Sequence, residues 1–363
     1  MSASADADLA FLRALAARPR FTGTQPLARA REVCAVRLRG MGFSVVERPF
    51  RYSTLPARFG MPLVGLMSIV LVAGVELAAD RLDARAAAGL ALLALGVLLA
   101  LVRWLTGGGA LSLDAACAHG ANLEGTRGGE PRVWLVAHLD SKSQRYPLAV
   151  RAVGASLTML AWGALLIACA AGAGGASSPY RWWIWAASAV GGGLLALASA
   201  GNESPGAVDN ASGVAAMLAA AGRLGPAVPV GVLITDAEEV GLAGAHAWAH
   251  GRVPGIAVNC DTIDDRGEFV LLISGRRPGA VCDAAGRAAR GTGVPIRVRR
   301  LPRGVLTDGV ALARAGWACA TLSRATVGTL LRIHTPQDSV EMLAGTGIGP
   351  AAALLDAMVR ELL

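Results

Sequence analysis

Residues 133–141 read VWLVAHLDS, and their reading decides how the polar part of the chain folds. The apolar run up to Ala137 has strand length and strand composition, and it ends at His138. Asp140 follows two residues later. In an extended segment positions 138 and 140 share a face, so the carboxylate can support the imidazole.

Working outward, the same arrangement recurs. GVLITDAEEVGL (231–242) places Glu238 and Glu239 just beyond a second β-rich run at 228–235. VNCDTID (258–264) brings Asp261 to the end of a third run at 256–260, and RIHTPQD (332–338) supplies His334. AVDNASG (207–213) puts Asp209 at the start of a helix expected over 208–224, where helix amides would hold a carboxylate. Residues 43–52, 269–273 and 318–322 read as further strands, and 4–17, 26–40, 311–315 and 351–363 as helices. The alternation predicts an α/β fold, with ionisable groups gathered beyond the C-terminal ends of strands, where open α/β sheets bind ligands.

Two histidines and three or four carboxylates form a mixed nitrogen and oxygen donor set suited to zinc or another divalent ion. If one carboxylate bridges, five side chains can hold two ions about 3.5–4 Å apart, an arrangement that polarises a hydrolytic water. A neighbouring glutamate left off the ions would then be a general base. Each motif alone is an ordinary polar pair. Five of them in this order, most just after a strand, point to one site.

Composition asks for a second element. The chain has 363 residues, 54% hydrophobic and 17% charged, which excludes a disordered chain and is too apolar for an ordinary soluble globule. Residues 60–79, 86–102, 152–180 and 182–202 are nearly or wholly uncharged, with Glu76 the one exception. Each reaches or approaches the roughly 20 residues that cross a bilayer. They form two expected transmembrane hairpins, 60–106 and 151–202, set into a domain made of 1–59, 107–150 and 203–363. The second hairpin turns at Ala-Gly-Gly-Ala-Ser-Ser-Pro, followed by Tyr180, Trp182, Trp183 and Trp185, an interfacial belt. Arg48, Arg51, Arg58, Arg103, Lys142, Arg145 and Arg151 lie on the non-hairpin side against Arg81, Arg85 and Arg181 in the turns, which places the polar domain in the cytoplasm.

The net charge of +8 is mostly N-terminal, since residues 1–59 hold 10 arginines against 4 acids. Lys142 is the only lysine among 34 basic residues, a bias of codon usage and no signature of nucleic-acid binding. Arg297, Arg299, Arg300 and Arg303 read as a solvated basic loop. The six cysteines show no metal or redox spacing and read as scattered buried thiols.

AHLDS, VDNASGVAAML, AEEVGLAGA, VNCD and IHTPQDSVE resemble, in order, five motif regions of the M28 metallopeptidases, the aminopeptidase-like di-zinc hydrolases. The resemblance implies a mixed-sheet zinc-aminopeptidase-like domain, here carrying four transmembrane helices in two hairpins. It implies that His138, Asp209 and Asp261 bind one Zn²⁺ and that Asp209, Glu239 and His334 bind the other, other divalent metals being alternatives. Glu238 would be the base that serves the water and the leaving amine, and Asp140 would orient His138. The implied activity is removal of N-terminal residues from peptides. A glutaminyl cyclase or other amidohydrolase, and a non-catalytic membrane scaffold, are the alternatives. Ile333 stands where many relatives have a tyrosine that stabilises the oxyanion, and Thr307-Asp308-Gly309 stands for Ser-Asp-His. Because the second hairpin leaves and rejoins the chain near Asp140 and Asp209, the site is expected to lie close to the lipid bilayer and to take membrane-associated peptide.

Overall fold

The computed structural model describes residues 3–175, 178–302 and 304–363, and at 3–5, 57 and 109 the backbone alone. Ala176 and Ser177 of the hairpin turn, and Arg303 of the basic run, lie outside the described residues. The chain forms two compact units. One holds the residues up to Ser53, Ala110–Ser143 and Gly201–Leu363; the other holds Thr54–Gly109 and Gln144–Ala200.

The first unit is built on eight strands: β1 Ser44–Ser53, β2 Cys117–Arg127, β3 Val133–His138, β4 Val230–Thr235, β5 Ile256–Ile263, β6 Glu268–Ile273, β7 Ile296–Arg300 and β8 Ala318–Ala325. They form one mixed sheet in the order β1-β2-β4-β3-β5-β8-β6-β7. The central β4, β3, β5 and β8 run parallel, with His138 opposite Thr235 and Val136 opposite Asn259. β3 and β4 are buried at every position, as their unbroken apolar sequences require. One sheet face carries Trp134, Val136, Leu233, Ala257 and Cys319 under the helices Ala243–Ala249 and Asp308–Arg314, with Trp248 packed on both Trp134 and Trp317. The helices Gly213–Arg223 and Ile348–Leu362 cover the other.

Two expectations change here, and one strand is new. Residues 208–224 are not one helix: Asp209 and Asn210 take non-helical angles, and the regular helix begins at Gly213. The basic run is no loop. Ile296–Arg300 is the edge strand β7, parallel to β6, with Arg297 2.9 Å from Glu268; exposed arginines are a usual guard on such an edge. β2 was hidden in the sequence because its glycines and polar residues interrupt any apolar run. Five cysteines are buried and Cys117 is half-buried, with all six free.

The second unit is four packed helices, Leu55–Ala79, Ala84–Thr106, Leu148–Ala170 and Arg181–Ala196. Pro56 and Asp83 mark two of the starts, Asp83 by accepting the Ala86 N–H at 2.9 Å. Glycines let the backbones approach: a methyl group on Gly65 would lie 2.3 Å from the Gly192 carbonyl oxygen, and one on Gly191 2.8 Å from that of Gly154. Val70, Leu93, Leu160 and Ile167 face outward and exposed, so the outer surface is apolar too.

Three of these helices are long and apolar enough to cross a membrane: Arg58–Ala79, Ala84–Thr106 and Leu148–Ala170. The fourth span, expected over 182–202, is helical for only the 16 residues Arg181–Ala196. At about 1.5 Å per residue that is some 24 Å, short of a bilayer core. Gly191, Gly192 and Gly193 weaken its last turns, and the chain leaves the helix at Leu197.

Candidate metal centre

His138 ends β3, Glu238 and Glu239 follow β4, and Asp261 lies near the end of β5, so three parallel strands deliver four of the expected groups to one sheet edge. Asp209 arrives on the irregular turn before Gly213, and His334 after the helix Val327–Arg332. All six side chains are buried.

Asp209 is central. Its Oδ1 lies 3.1 Å from His138 Nε2 and its Oδ2 lies 2.9 Å from His334 Nε2. His138 Nε2 is also 3.6 Å from Asp261 Oδ1, and His334 Nε2 is 3.1 Å from Glu239 Oε1. The donor atoms fall into two groups, His138 with Glu238 and Asp261, and Asp209 with Glu239 and His334, each within 4.8 Å. Asp209 reaches into both groups.

The backbone around these groups is constrained. Ala237, Thr262 and His334 have positive φ, an uncommon state for residues other than glycine, and each is a ligand candidate or its immediate neighbour. Asn210 ties Asp209 to β5, donating to the Cys260 carbonyl at 3.0 Å and accepting the Gly213 and Thr262 amides, both at 3.1 Å. Gly213 is required there, because a methyl group would fall 2.0 Å from Asn210 Oδ1 and 2.7 Å from the Cys260 carbonyl oxygen.

Asp140 does more than the sequence indicates. The closest partner of His138 Nδ1 is the Asp140 main-chain carbonyl at 3.1 Å, with the carboxylate at 3.6 Å. The carboxylate itself accepts the backbone N–H groups of Glu238 and Glu239, both at 3.1 Å. One residue therefore orients the imidazole through its backbone and the glutamate pair through its side chain.

Three further residues take part to which the sequence assigned no role in the site, Asp308 having been noted only as part of Thr307-Asp308-Gly309. Asp338 accepts the Val208 and Asp209 amides. Lys142 Nζ lies 2.5 Å from Glu239 Oε2; being the only lysine was its one distinguishing mark. Asp308 is fully buried, its Oδ2 accepting from the Thr235 hydroxyl at 2.5 Å while Oδ1 has no hydrogen-bond partner among the described residues. Ile333 is buried and offers no side-chain donor.

The electrostatics follow from burying so many charges together. Burial alone would raise Asp209, but hydrogen bonds from His138 and His334 hold it well below the usual carboxylate range. Burial also works against Glu239, yet Lys142 and His334 bring it down to about 2. Glu238 moves the other way: burial, with Glu239, Asp261 and Asp308 nearby, raises it well above the ordinary value despite His138. Burial would lower both imidazoles, and the surrounding carboxylates raise them instead.

A divalent ion fits this donor set. Glu239 Oε1, beside His334 Nε2, is buried without a hydrogen bond of acceptable geometry among the described residues. Carboxylates packed this closely with few donors are costly unless cations join them. Nitrogen and oxygen donors in these proportions suit zinc and similar ions.

Residues 189–359 match the model of Peptidase family M28. The match takes in Asp209, Glu238, Glu239, Asp261 and His334; His138 and Asp140 precede the matched segment. No curated protein sequence matches the chain. Among solved structures, the aminopeptidase from Aneurinibacillus sp. strain AM-1 aligns with 14% identity and a TM-score of 0.58 over 98% of this chain and 93% of that one. BSAP, a zinc aminopeptidase from Bacillus subtilis, aligns with 16% identity and a TM-score of 0.56 over 98% and 94%. Fimbriiglobus ruber glutaminyl cyclase gives 15% and 0.56 over 98% and 95%. The chain shares their mixed α/β fold, and the M28 match supports a hydrolase.

Proposed function

We propose that the protein is a membrane-embedded M28-type metallopeptidase, an aminopeptidase that cleaves N-terminal peptide bonds. The observation that carries this reading is the placement of Asp209 between His138 and His334, one carboxylate oxygen toward each. In it, His138, Asp209 and Asp261 hold one zinc ion and Asp209, Glu239 and His334 hold a second. Bound there, the ions supply Lewis-acid polarisation of a carbonyl and of an attacking water.

The chain's own residues do the rest. Glu238, adjacent to Glu239 and outside both ligand sets of this reading, is the base that takes a proton from the water and returns it to the leaving nitrogen. Asp140 and Asp338 fix the peptide segments bearing Glu238, Glu239 and Asp209.

Membrane embedding rests on the three long apolar helices; the shorter Arg181–Ala196 would complete the second hairpin. The bilayer is then a partner. The chain passes into the helical unit at Gln144 and returns at Gly201, close in sequence to Asp140 and Asp209, so peptide ends presented at the membrane surface are the favoured substrates. Equal turnover of soluble and membrane-tethered peptides by the reconstituted enzyme would remove that preference.

The deciding experiment is metal analysis of the purified protein together with product analysis on a peptide library. Two chelatable zinc ions and released N-terminal amino acids are expected. Cyclised N-termini instead would assign glutaminyl cyclase activity, a reading that the fold also accommodates. Absence of metal from carefully prepared protein would leave a scaffold.

A further inference from the structure

Arg20 is almost completely buried, at 1% exposure, and among the described residues its side chain hydrogen-bonds to no carboxylate. Its guanidinium donates to four main-chain carbonyls: Leu15 at 2.9 Å, Leu139 at 2.9 Å, Pro205 at 2.5 Å and Gly206 at 3.0 Å. Its backbone continues the same contact. The Arg20 N–H donates to Ser141 Oγ at 2.9 Å, the Ser141 N–H donates to the Arg20 carbonyl at 3.1 Å, and Ser141 Oγ donates to the Ser204 carbonyl at 2.9 Å.

Leu15 closes the helix Ala3–Leu15, while the other three carbonyls belong to two segments that adjoin candidate ligands. Leu139 directly follows His138, and Pro205 and Gly206 lead into Asp209; in sequence the whole second apolar insertion separates them. Gly206 has φ +62°, and a methyl group on it would fall 2.4 Å from the Asp209 carbonyl oxygen, 2.5 Å from Ser141 Cβ and 3.3 Å from the Arg20 guanidinium. The two segments are thus pressed together over one planar cation.

We propose that Arg20 is a positioning residue for the metal centre, a buried fork that sets the separation of His138 and Asp209 by gripping the backbone on either side. The inference rests on the metallohydrolase reading above. A cation with no contacting carboxylate is costly to bury, and the compensation here is the nearby charge of Asp338, Asp140 and Asp209, which belong to the same centre. Burial lowers Arg20 to about 10 and those carboxylates hold it up, so it remains charged at neutral pH. Lysine could supply the charge but not the fixed, planar set of donors.

The test uses the full chain in detergent, comparing wild type with Arg20→Lys and Ser141→Ala. Zinc affinity is measured by chelator competition, and the visible spectrum of the cobalt-substituted protein reports ligand geometry. With the wild type binding zinc, Arg20→Lys is expected to weaken it about 10- to 100-fold and to alter the cobalt spectrum, the range seen when groups that orient metal ligands are removed. Ser141→Ala, which leaves the Arg20 guanidinium in place, is expected to weaken zinc about 10-fold, the low end of the same range, as a smaller perturbation of the clamp. If Arg20→Lys does not fold, Ser141→Ala decides. Wild-type affinity and an unchanged cobalt spectrum in the folded variants would overturn the role of Arg20, even if their melting temperatures fell. A wild-type protein that binds no zinc would instead overturn the metallohydrolase reading.

Discussion

The Asp338 carboxylate accepts the backbone N–H of Asp209 at 3.1 Å through Oδ2, while Oδ1 accepts that of Val208 at 2.7 Å. Asp140 does the same for Glu238 and Glu239. Each carboxylate neutralises two consecutive amides that no helix or strand satisfies, and so fixes the direction of a ligand-bearing peptide. Asp338→Ala should therefore leave every metal ligand present and still weaken zinc binding about 10- to 100-fold. Chelator competition measures it; an unchanged affinity would show that the turn before Gly213 holds its shape unaided.

Asp209→Ala should empty both metal positions, because the one carboxylate faces both imidazoles. Loss of a single equivalent by elemental analysis would make Asp209 a ligand to one ion only.

Glu238→Gln is nearly isosteric and should retain the metals, but turnover should fall about 10²- to 10⁴-fold, the usual contribution of a general base. Near wild-type activity would move the base elsewhere, and Asp308 would be the first residue to examine.

Zinc uptake should release protons at neutral pH. In the metal-free protein burial opposes charge on His138 and His334, but the surrounding carboxylates raise both above their ordinary values. A metal must displace those protons, so affinity should climb as pH rises. Titration calorimetry in buffers of different ionisation enthalpy measures the protons released; heats independent of buffer would contradict the prediction.

Asp308 should make the metal-free protein less stable as pH rises. Burial, with the charges of Asp140 and Asp261, raises it to about 7, against His138 and the Thr235 hydroxyl, which favour the ionised form; Glu238 is a further acid beside it. The native state keeps a proton that the unfolded chain gives up between about pH 4 and pH 7. Its stabilisation is complete below that window and declines through it. Asp308→Asn, neutral throughout, should flatten that decline when melting temperatures of chelator-treated protein are compared at pH 5 and pH 8. Identical slopes would mean that Asp308 is ionised in the native protein.

Much of this was open to inspection in one dimension. Uninterrupted apolar runs such as VWLVAH and VGVLIT specify buried parallel strands, because no other short element hides both of its faces. The long apolar helices follow from length and hydropathy alone. His138, Glu239 and Asp261 were marked by their position at or just past strand ends, and Asp209 and His334 by the motifs around them. Other features belong to three dimensions. Arg20, Lys142 and Asp338 carry no local pattern, since their partners lie far away in the chain or on its backbone amides and carbonyls. The edge strand β7 looked like a solvated loop because its pairing with β6 is a contact between segments. Local sequence sets which face a segment must bury; the direction in which a carboxylate points is set by the backbone groups that folding brings within hydrogen-bonding distance.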